Sequence, residues 1–568
     1  MKLFSILVIS VMVVLVIQTR TLTGQTYCNP LNLSYRLSLD QPSTREIADP
    51  TIVMYKDSYF LFASKSGGYW YSGDLISWKF VTATDLPLEN VAPTAVVIGD
   101  WLYFFTSLSN TIYRSNDPAS GKWELYNDSF PLSMISDMAI FADTDGRVYC
   151  YYACSNNDGV MSRELDVNNK LNPKGVPVVC SRINPNEPPL KKAGNHFSKT
   201  GYVSVIGSWM NKYKGKYYYQ CVEQNTVFNS SSDVVYVSAS PTGPFTYAAN
   251  NTFSSKPGGF VSGASHGSTF ADKHGNWWHI ATMTTSENKL TVTRLGLFPV
   301  VFDKDGNMNA YTDFGDYPLI IPDHKYTSLS EINPGWALLS YDKPAEASSS
   351  LTANPMDFAF DENIGTYWSA KTGNKDEWLS VDLGSLCTIN AVQINFAENN
   401  NRILGREVVK GHQYLIEYSA DKRNWEILSD KTANVDDLTH QYEVMTVPVK
   451  ARYVKITNDS VPDGTFAISG FRVFGSGTSP EPTKILMIQA VKDFHDPRNI
   501  KLTWVKKENA TGFLIRYGTQ KDKLYHSYRV YKNAPLIIRV PEKNKTYWFQ
   551  IDAFGENGVT PSNFHFSR

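Results

Sequence analysis

The sequence predicts an all-β chain in which a five-bladed β-propeller is followed by two β-sandwiches. Three observations favour this class. Aromatic residues make up 13% of the 568 residues and charged residues only 19%, a bias typical of folded, strand-rich chains and not of disordered or coiled-coil ones. A strand, a turn and an aromatic strand recur five times in the first part of the chain. Beyond residue 333 short alternating strands follow, separated by Ser, Asn and Gly turns, which is typical of sandwich domains.

The repeat is the strongest signal in the sequence. Its five copies start at Asp49, Ala92, Asp137, Ile206 and His266. The aromatic strands after the turns are Tyr59–Phe62, Trp101–Phe105, Val148–Tyr152, Tyr217–Gln220 and Trp277–Ile280. Successive copies start 43 to 69 residues apart, which is close to the length of four short strands with variable loops, the content of one propeller blade. Residues 25–333 are therefore predicted to form five blades.

The starting residues of the repeats form the candidate site. In a propeller the first strand of each blade lies at a central channel, so these residues are expected to meet there although they are far apart in sequence. Asp49, Asp137 and His266 would place two carboxylates and an imidazole together at one end of the channel, a constellation typical of a functional site. Trp70 and Trp209 are predicted to line the same pocket, because aromatic rings stack well against sugars. The predicted partner is an oligosaccharide or polysaccharide.

The net charge, the cysteine content and the N-terminal residues indicate which partners and which cellular location are expected. Lys plus Arg number 54 and Asp plus Glu 55, so the net charge of −1 predicts no nucleic-acid partner. Six cysteines without a CxxC pair are expected to be mainly small buried residues. Residues 1–24 are interpreted as an export signal, with Lys2 before the apolar run Leu3–Ile17. The mature chain is thus expected in the periplasm, at the cell surface or outside the cell, without a membrane span.

The first domain resembles glycoside hydrolase family 43. The motifs that carry the resemblance are Ala48–Pro50, Ser64–Trp70, Ser136–Phe141 and Gly258–Gly267. The resemblance implies hydrolysis, with inversion, of arabinofuranosyl, galactofuranosyl or xylosyl side chains of plant-type polysaccharides. It implies that Asp49 is the general base, that Asp137 orients the general acid and raises its pKa, and that His266 is a ligand of a central Ca²⁺ or Na⁺ ion. The chemistry itself requires no cofactor.

The sequence departs from the family pattern at the general acid. In the family this residue is a Glu that starts the fourth repeat and precedes a Gly. Here Ile206 precedes Gly207, and an isoleucine cannot donate a proton. Glu223 and Glu187 are the nearest candidate substitutes. Two alternatives remain, a hydrolase with an altered acid and a degenerate propeller that only binds glycans. The family resemblance favours the hydrolase.

Two further domains are predicted behind the propeller. Residues 334–476 resemble a discoidin, or coagulation factor 5/8 type C, module, through Phe360–Ala370, Glu377–Gly384 and Ile468–Gly475. That resemblance implies a structural Ca²⁺ and sugar-binding loops. Residues 483–568 follow a polar linker and resemble a fibronectin type III domain, with Ile500–Val505 and Lys545–Phe554 as strand cues. Spacing or docking is the predicted role of this last domain.

Overall fold

The computed structural model describes residues 24–107, 109–132, 137–154, 159–181, 205–223, 231–285, 292–408, 410–505, 508–531, 534–540 and 544–566. Within these ranges the chain is almost entirely β. The helices found there are two 3-10 turns, at Pro118–Ser120 and Met356–Ala359. No helix in the described ranges is long and apolar enough to cross a membrane. Almost all of the predicted export signal lies outside the described residues; its last residue, Gly24, opens the first strand, β1 (Gly24–Tyr27).

Five antiparallel sheets follow β1, and each runs in simple sequence order from its first strand outward. The first two sheets are β2 (Ala48–Tyr55), β3 (Ser58–Ser64), β4 (Tyr69–Ser72) and β5 (Lys79–Val81), then β6 (Thr94–Ile98), β7 (Trp101–Phe105), β8 (Ile112–Ser115) and β9 (Glu124–Asn127). The third is β10 (Ala139–Ala142), β11 (Val148–Cys154), β12 (Gly159–Asp166) and β13 (Asn172–Ser181). Each second strand contains one of the aromatic runs in the sequence.

The fourth sheet is β14 (Val205–Tyr213), β15 (Lys216–Glu223), β16 (Ser232–Ser238) and β17 (Thr246–Tyr247), with β18 (Ser254–Ser255) also paired to β16. The fifth is β19 (Ser262–Ala271), β20 (Trp277–Thr284), β21 (Thr293–Phe302) and β22 (Met308–Ala310). The first strands contact one another in a closed ring, β2 to β6 to β10 to β14 to β19 and back to β2. Five such sheets around a ring form a five-bladed propeller.

The aromatic residues of the second strands hold the blades together. Tyr151, Tyr219 and Trp278 are fully buried, and rings of neighbouring blades pack against each other; for example, Phe62 lies 5.2 Å from Phe104 between ring centroids. The excess of aromatic residues is therefore mainly a packing feature, because large rings fill the wedge between two twisted sheets. Beyond the last blade, β23 (Leu319–Pro322) pairs with β1.

The second domain is a single network of antiparallel strands with its own core. Its strands are β24 (Ala337–Leu338), β25 (Ala345–Ala347), β26 (Trp368–Ser369), β27 (Trp378–Phe396), β28 (Gln413–Ser419), β29 (Glu426–Asp430), β30 (His440–Ser460) and β31 (Ala467–Ser476). The long central strands β27 and β30 pair with each other, and β31 pairs with β27 on its other side. Trp368 is completely buried in this core.

The third domain has two sheets that share one core. The first sheet contains β32 (Ile488–Lys492), β33 (Asn499–Trp504) and β36 (Leu536–Arg539); the second contains β34 (Gly512–Gly518), β35 (His526–Val530), β37 (Trp548–Gly555), β38 (Gly558–Thr560) and β39 (His565–Phe566). Apolar residues from both sheets form a common cluster. The two-sheet arrangement agrees with the expected sandwich, and the likeness to fibronectin type III stays a prediction. The five cysteines with described side chains are buried, as expected.

Candidate active site

The channel end of each blade is built around one residue with a left-handed backbone. These five residues are Asp49 (φ 55°), Ala92 (φ 50°), Asp137 (φ 55°), Gly207 (φ 70°) and His266 (φ 48°). A non-glycine residue in this region costs about 1 to 2 kcal/mol, so four such residues at equivalent positions indicate a geometry that the surrounding structure enforces. The bend turns these residues toward one another at the centre of the ring.

The neighbouring blade stabilises this bend by hydrogen bonding. The Asp49 amide donates to Thr282 Oγ1 at 3.0 Å, and the Asp137 amide donates to Ser107 Oγ at 2.7 Å. Thr282 lies near the end of β20, and Ser107 follows the end of β7 by two residues. Each hydroxyl therefore belongs to the blade that precedes the blade whose amide it accepts. The small hydroxyl residues after the aromatic runs therefore satisfy amides that the left-handed turn removes from the sheet ladder.

The sequence comparison of the repeats is wrong by one residue in the fourth blade. Gly207, and not Ile206, has the left-handed backbone and lines the channel pocket, while Ile206 is absent from its lining. A β-bulge lies between Ile206 and Trp209, as it does between Ala48 and Thr51 and between Ser265 and Ser268, and it places Gly207 level with Asp49 and His266. A Cβ atom at Gly207 would lie 2.7 Å from the His266 ring, so the close approach of His266 requires a glycine here.

Asp49, Asp137 and His266 come together as predicted and line a small cavity of about 20 Å³. A volume of that size accommodates about one water molecule. His266 Nδ1 lies 2.9 Å from Asp49 Oδ1, and Ser64 Oγ donates to Asp49 Oδ2 at 2.7 Å. The side chains of both Asp49 and His266 are less than one-fifth exposed. The pair therefore forms an ion pair that is largely shielded from solvent.

The two carboxyl groups have opposite electrostatic environments. Burial opposes the ionisation of Asp49, but the charge and hydrogen bond of His266 outweigh it and hold the pKa of Asp49 below its ordinary value. Burial raises the pKa of Asp137 above its ordinary value; the charge of His266 opposes this and that of Asp49 reinforces it. Asp137 accepts hydrogen bonds from the Gly207 amide and from Ser107 Oγ. The two environments thus displace the pKa values of the two carboxyl groups in opposite directions.

The two predicted sugar-stacking residues have different positions. Trp209 lines the pocket and donates its ring N–H to the Thr269 carbonyl at 2.8 Å. Trp70 does not, and its prediction as a substrate contact is wrong. It is 1% exposed, packs in the core of the first and fifth blades, and donates to Ser34 Oγ. The alternation of β4 directs Trp70 into the sheet packing, which the sequence motif alone did not reveal.

The predicted central Ca²⁺ or Na⁺ ion stays a prediction. His266 Nδ1 lies 2.9 Å from Asp49 Oδ1, and burial, although it disfavours the imidazolium, is outweighed by Asp49, so the pKa of His266 is raised to about 9. The contact with Asp49 involves Nδ1, and Nε2 is the ring nitrogen that would face a cation. Within the described ranges no three His, Cys, Asp or Glu side chains cluster as a metal site. His266 is here the counter-ion of Asp49. The Ca²⁺ expected in the second domain stays a prediction.

Behind His266 lies a buried polar layer that sequence reasoning missed. Asp233 Oδ1 accepts the His266 amide hydrogen at 2.8 Å, and Asp233 Oδ2 lies 3.4 Å from His279 Nε2. Burial raises the pKa of Asp233 to about 7 and lowers the pKa of His279 to about 3. The hydrogen bond from the His266 amide to Asp233 holds the backbone of His266 in place. No motif surrounds Asp233 in the sequence, so only its position in β16, next to β19, identifies it.

The two candidate replacements for the general acid are not placed. Glu187 lies outside the described residues, and so does the side chain of Glu223 at the end of β15. Among the described residues the titratable groups that line the pocket are Asp49, Asp137 and His266.

The Asp49–His266 pair predicts a pH dependence of stability. The pKa of His266 is raised, so its stabilising contribution is complete below pH 6.5 and decreases as the pH rises to about 9. We expect the difference in unfolding free energy between wild type and His266→Gln to shrink by roughly 1 to 3 kcal/mol from pH 6.5 to pH 9. Urea unfolding at several pH values measures it. A difference that is constant over this range contradicts the ion pair.

Two protein-family models match parts of this chain. Residues 43–308 match the family model "Glycosyl hydrolases family 43", and residues 344–469 match the model "F5/8 type C domain". The first match spans the five blades almost from end to end and includes Asp49, Asp137 and His266. A search of curated proteins found no match to this sequence.

Several solved structures are similar at low sequence identity. One described as "Glycoside hydrolase" is 19% identical with a TM-score of 0.44, and the match covers 78% of this chain and 100% of that one. A mutant of the GH43 protein BlXynB from Bacillus licheniformis is 16% identical with a TM-score of 0.40, covering 79% and 99%. An α-L-arabinofuranosidase from Clostridium thermocellum is 15% identical with a TM-score of 0.34, covering 48% and 96%.

The channel geometry and the two family models lead to one assignment. The chain contains a glycosyl hydrolase family 43 domain and, behind it, an F5/8 type C domain.

Proposed function

We propose that the propeller hydrolyses arabinofuranosyl, galactofuranosyl or xylosyl side chains of plant-type polysaccharides by a single displacement with inversion. The observation that carries the proposal is the pairing of Asp49 and Asp137 in one pocket with pKa values displaced in opposite directions. Carboxyl groups whose environments separate their pKa values are suited to divide base and acid roles between them. The near-zero net charge of the chain agrees with a neutral sugar as ligand.

The proposed roles follow from the two environments. Asp49 is ionised and takes a proton from water while the water oxygen forms a bond to the anomeric carbon. The bond from that carbon to the leaving oxygen breaks, and the leaving oxygen takes up a proton. Asp137 has the raised pKa, so it is the described carboxyl group of the pocket best suited to hold that proton. Trp209 forms part of the pocket wall.

Product stereochemistry and leaving-group dependence test these roles. Proton NMR of the first-formed sugar from an aryl arabinofuranoside or xyloside should show the inverted anomer. Asp137→Asn should slow hydrolysis of alkyl glycosides more than that of 4-nitrophenyl glycosides, since a good leaving group needs little protonation. An equal loss on both substrates would assign Asp137 to positioning and not to proton donation. A retained anomer would exclude the single displacement.

A second candidate function is glycan binding without turnover. Ile206 stands at the family's acid position, and no Glu lines the pocket among the described residues. General acid catalysis contributes about 100- to 10,000-fold, so a pocket without a proton donor would act only on activated substrates or on none.

Restoring the acid distinguishes the two functions. We expect Ile206→Glu to raise hydrolysis of alkyl glycosides by about 100-fold or more, because it supplies a carboxyl group one residue from the pocket-lining Gly207. Ile206→Gln is the matched control, with nearly the same shape and no acid. Hydrolysis by wild type that disappears in Asp49→Ala would exclude the binding-only function. Activity in Ile206→Glu with none in wild type would establish a binder.

A further inference from the structure

A second cavity lies between the propeller and the F5/8 type C domain, apart from the channel pocket. Its volume is about 220 Å³. The propeller contributes Arg45, Thr285 and Arg294 to the lining, and the second domain contributes Tyr367, Phe396 and His440. A cavity of about 150 Å³ already holds a six-membered benzene ring, so this one has room for a single sugar ring. Its walls combine two aromatic rings with a few polar groups, the usual composition of a small-ligand site.

Arg294 is the feature of this cavity that needs explanation. It is only 7% exposed, and within the described residues it forms no ion pair. Its Nε donates to His440 Nε2 at 2.9 Å, and its Nη1 donates to the carbonyls of Arg45 and Thr293. These partners are all neutral, because His440 accepts at Nε2 and contacts Asn395 Oδ1 through Nδ1. The Nη2 group has no hydrogen-bond partner among the described residues.

The other cation at the cavity, Arg45, is bound by two carboxylates. Arg45 binds Glu398 through Nε at 2.5 Å and Asp437 through both terminal nitrogens at 2.8 Å. The remaining Glu398 oxygen accepts from Asn401 at 2.7 Å. Both Glu398 oxygens are therefore occupied. Burial lowers the pKa of Arg294 to about 10, and the charge of Glu398 opposes that shift without a direct contact. The Arg294 Nη2 group still has no acceptor among the described residues, and a buried N–H group without a hydrogen bond is unfavourable, so a carboxylate from a ligand would be favoured beside it.

We propose that this cavity binds a hexuronic acid, free or as a terminal residue of a glycan, with its carboxylate on the Arg294 guanidinium. An Arg fork matches a carboxylate geometrically, and the Tyr367 and Phe396 rings provide the apolar wall against which a sugar ring packs. One residue of the cavity lining is close in sequence to a residue of the catalytic channel. Thr285 follows Thr282, the residue that accepts the Asp49 amide hydrogen, by three positions. The site is separate from the proposed hydrolysis and does not depend on it.

Calorimetric titration with glucuronate and glucose tests the proposal, because the two sugars differ only in the carboxylate at C6. Wild type and Asp49→Asn should both bind glucuronate at least about tenfold more tightly than glucose, and Arg294→Gln should weaken glucuronate binding about tenfold or more. Acetate, a carboxylate without a ring, should bind at least about tenfold more weakly than glucuronate.

Several outcomes would overturn the site. Equal binding of glucuronate and glucose excludes the carboxylate contact, and equal binding of acetate and glucuronate excludes the sugar. Loss of binding in Asp49→Asn places the ligand in the channel. If Arg294→Gln fails to fold by circular dichroism, Ile364→Trp adds bulk to the cavity lining without touching the guanidinium. Unchanged glucuronate binding in that variant likewise overturns the proposal.

Discussion

Replacing Asp49 by Asn is expected to lower kcat/KM for an aryl arabinofuranoside or xyloside by about 100- to 10,000-fold. The amide keeps the shape of the side chain but cannot take a proton from the attacking water. It also removes the negative partner of His266, whose Nδ1 lies 2.9 Å from Asp49 Oδ1. Initial rates with 4-nitrophenyl glycosides measure the effect, and circular dichroism verifies the fold.

Asp57→Asn is the matched control for this substitution. Asp57 is exposed in the turn that joins β2 and β3, the same hairpin that carries Asp49. Its replacement should leave kcat/KM unchanged. Activity in Asp49→Asn close to that of wild type would exclude Asp49 as the base and, with it, the proposed displacement.

Replacing Asp316 by Asn is expected to destabilise the protein by about 3 to 5 kcal/mol, because it leaves two buried cations without their counter-ion. Asp316 is fully buried between the fifth blade and β23. It binds Lys256 Nζ at 2.8 Å and the Arg529 guanidinium of the third domain. Arg472 of the second domain donates to the Asp316 backbone carbonyl at 2.6 Å. This residue therefore lies where all three domains meet.

The domain junction also depends on Glu362, which binds Arg472 in a bidentate pair and accepts from Tyr531. Loss of Asp316 should therefore loosen the third domain as well as lower the urea midpoint. Limited proteolysis in the linker before β32 should become faster. The control is Asp323→Asn, an exposed carboxylate paired with His324, for which no measurable change is expected. An unchanged midpoint in Asp316→Asn would show that the junction contributes little to stability.

The blades and most of the site could be predicted because they depend on local patterns. Each repeat couples a turn to an aromatic strand, and such a pairing is short-range and visible in a window of about 15 residues. The convergence of Asp49, Asp137 and His266 followed from the closed geometry of a propeller, which brings equivalent positions of all blades to one channel.

The errors have physical causes that act beyond a local window. The fourth repeat was aligned through Gly207 and Ser208 on Gly267 and Ser268, whereas the bulges place Gly207 level with His266. A bulge has no sequence signature of its own, so the sequence does not show this offset of one residue. Trp70 was assigned to the pocket from its motif, but the pleat of β4 buries it between blades. His266 forms an ion pair with Asp49 because its Nδ1 lies 2.9 Å from Asp49 Oδ1. That distance depends on the packing of the first blade against the fifth.

The sequence by itself determined the β class, the five repeats and the identity of two carboxylates and one imidazole at equivalent positions. These are properties of periodicity and residue type, which depend on near neighbours in the chain. Only the tertiary structure decided the protonation tendencies of Asp49 and Asp137, the role of His266 as a counter-ion and the charge of the cavity around Arg294. Each of these depends on burial and on a distance of a few ångströms between residues far apart in sequence, because electrostatic energies depend on the separation and shielding of groups and not on their order along the chain.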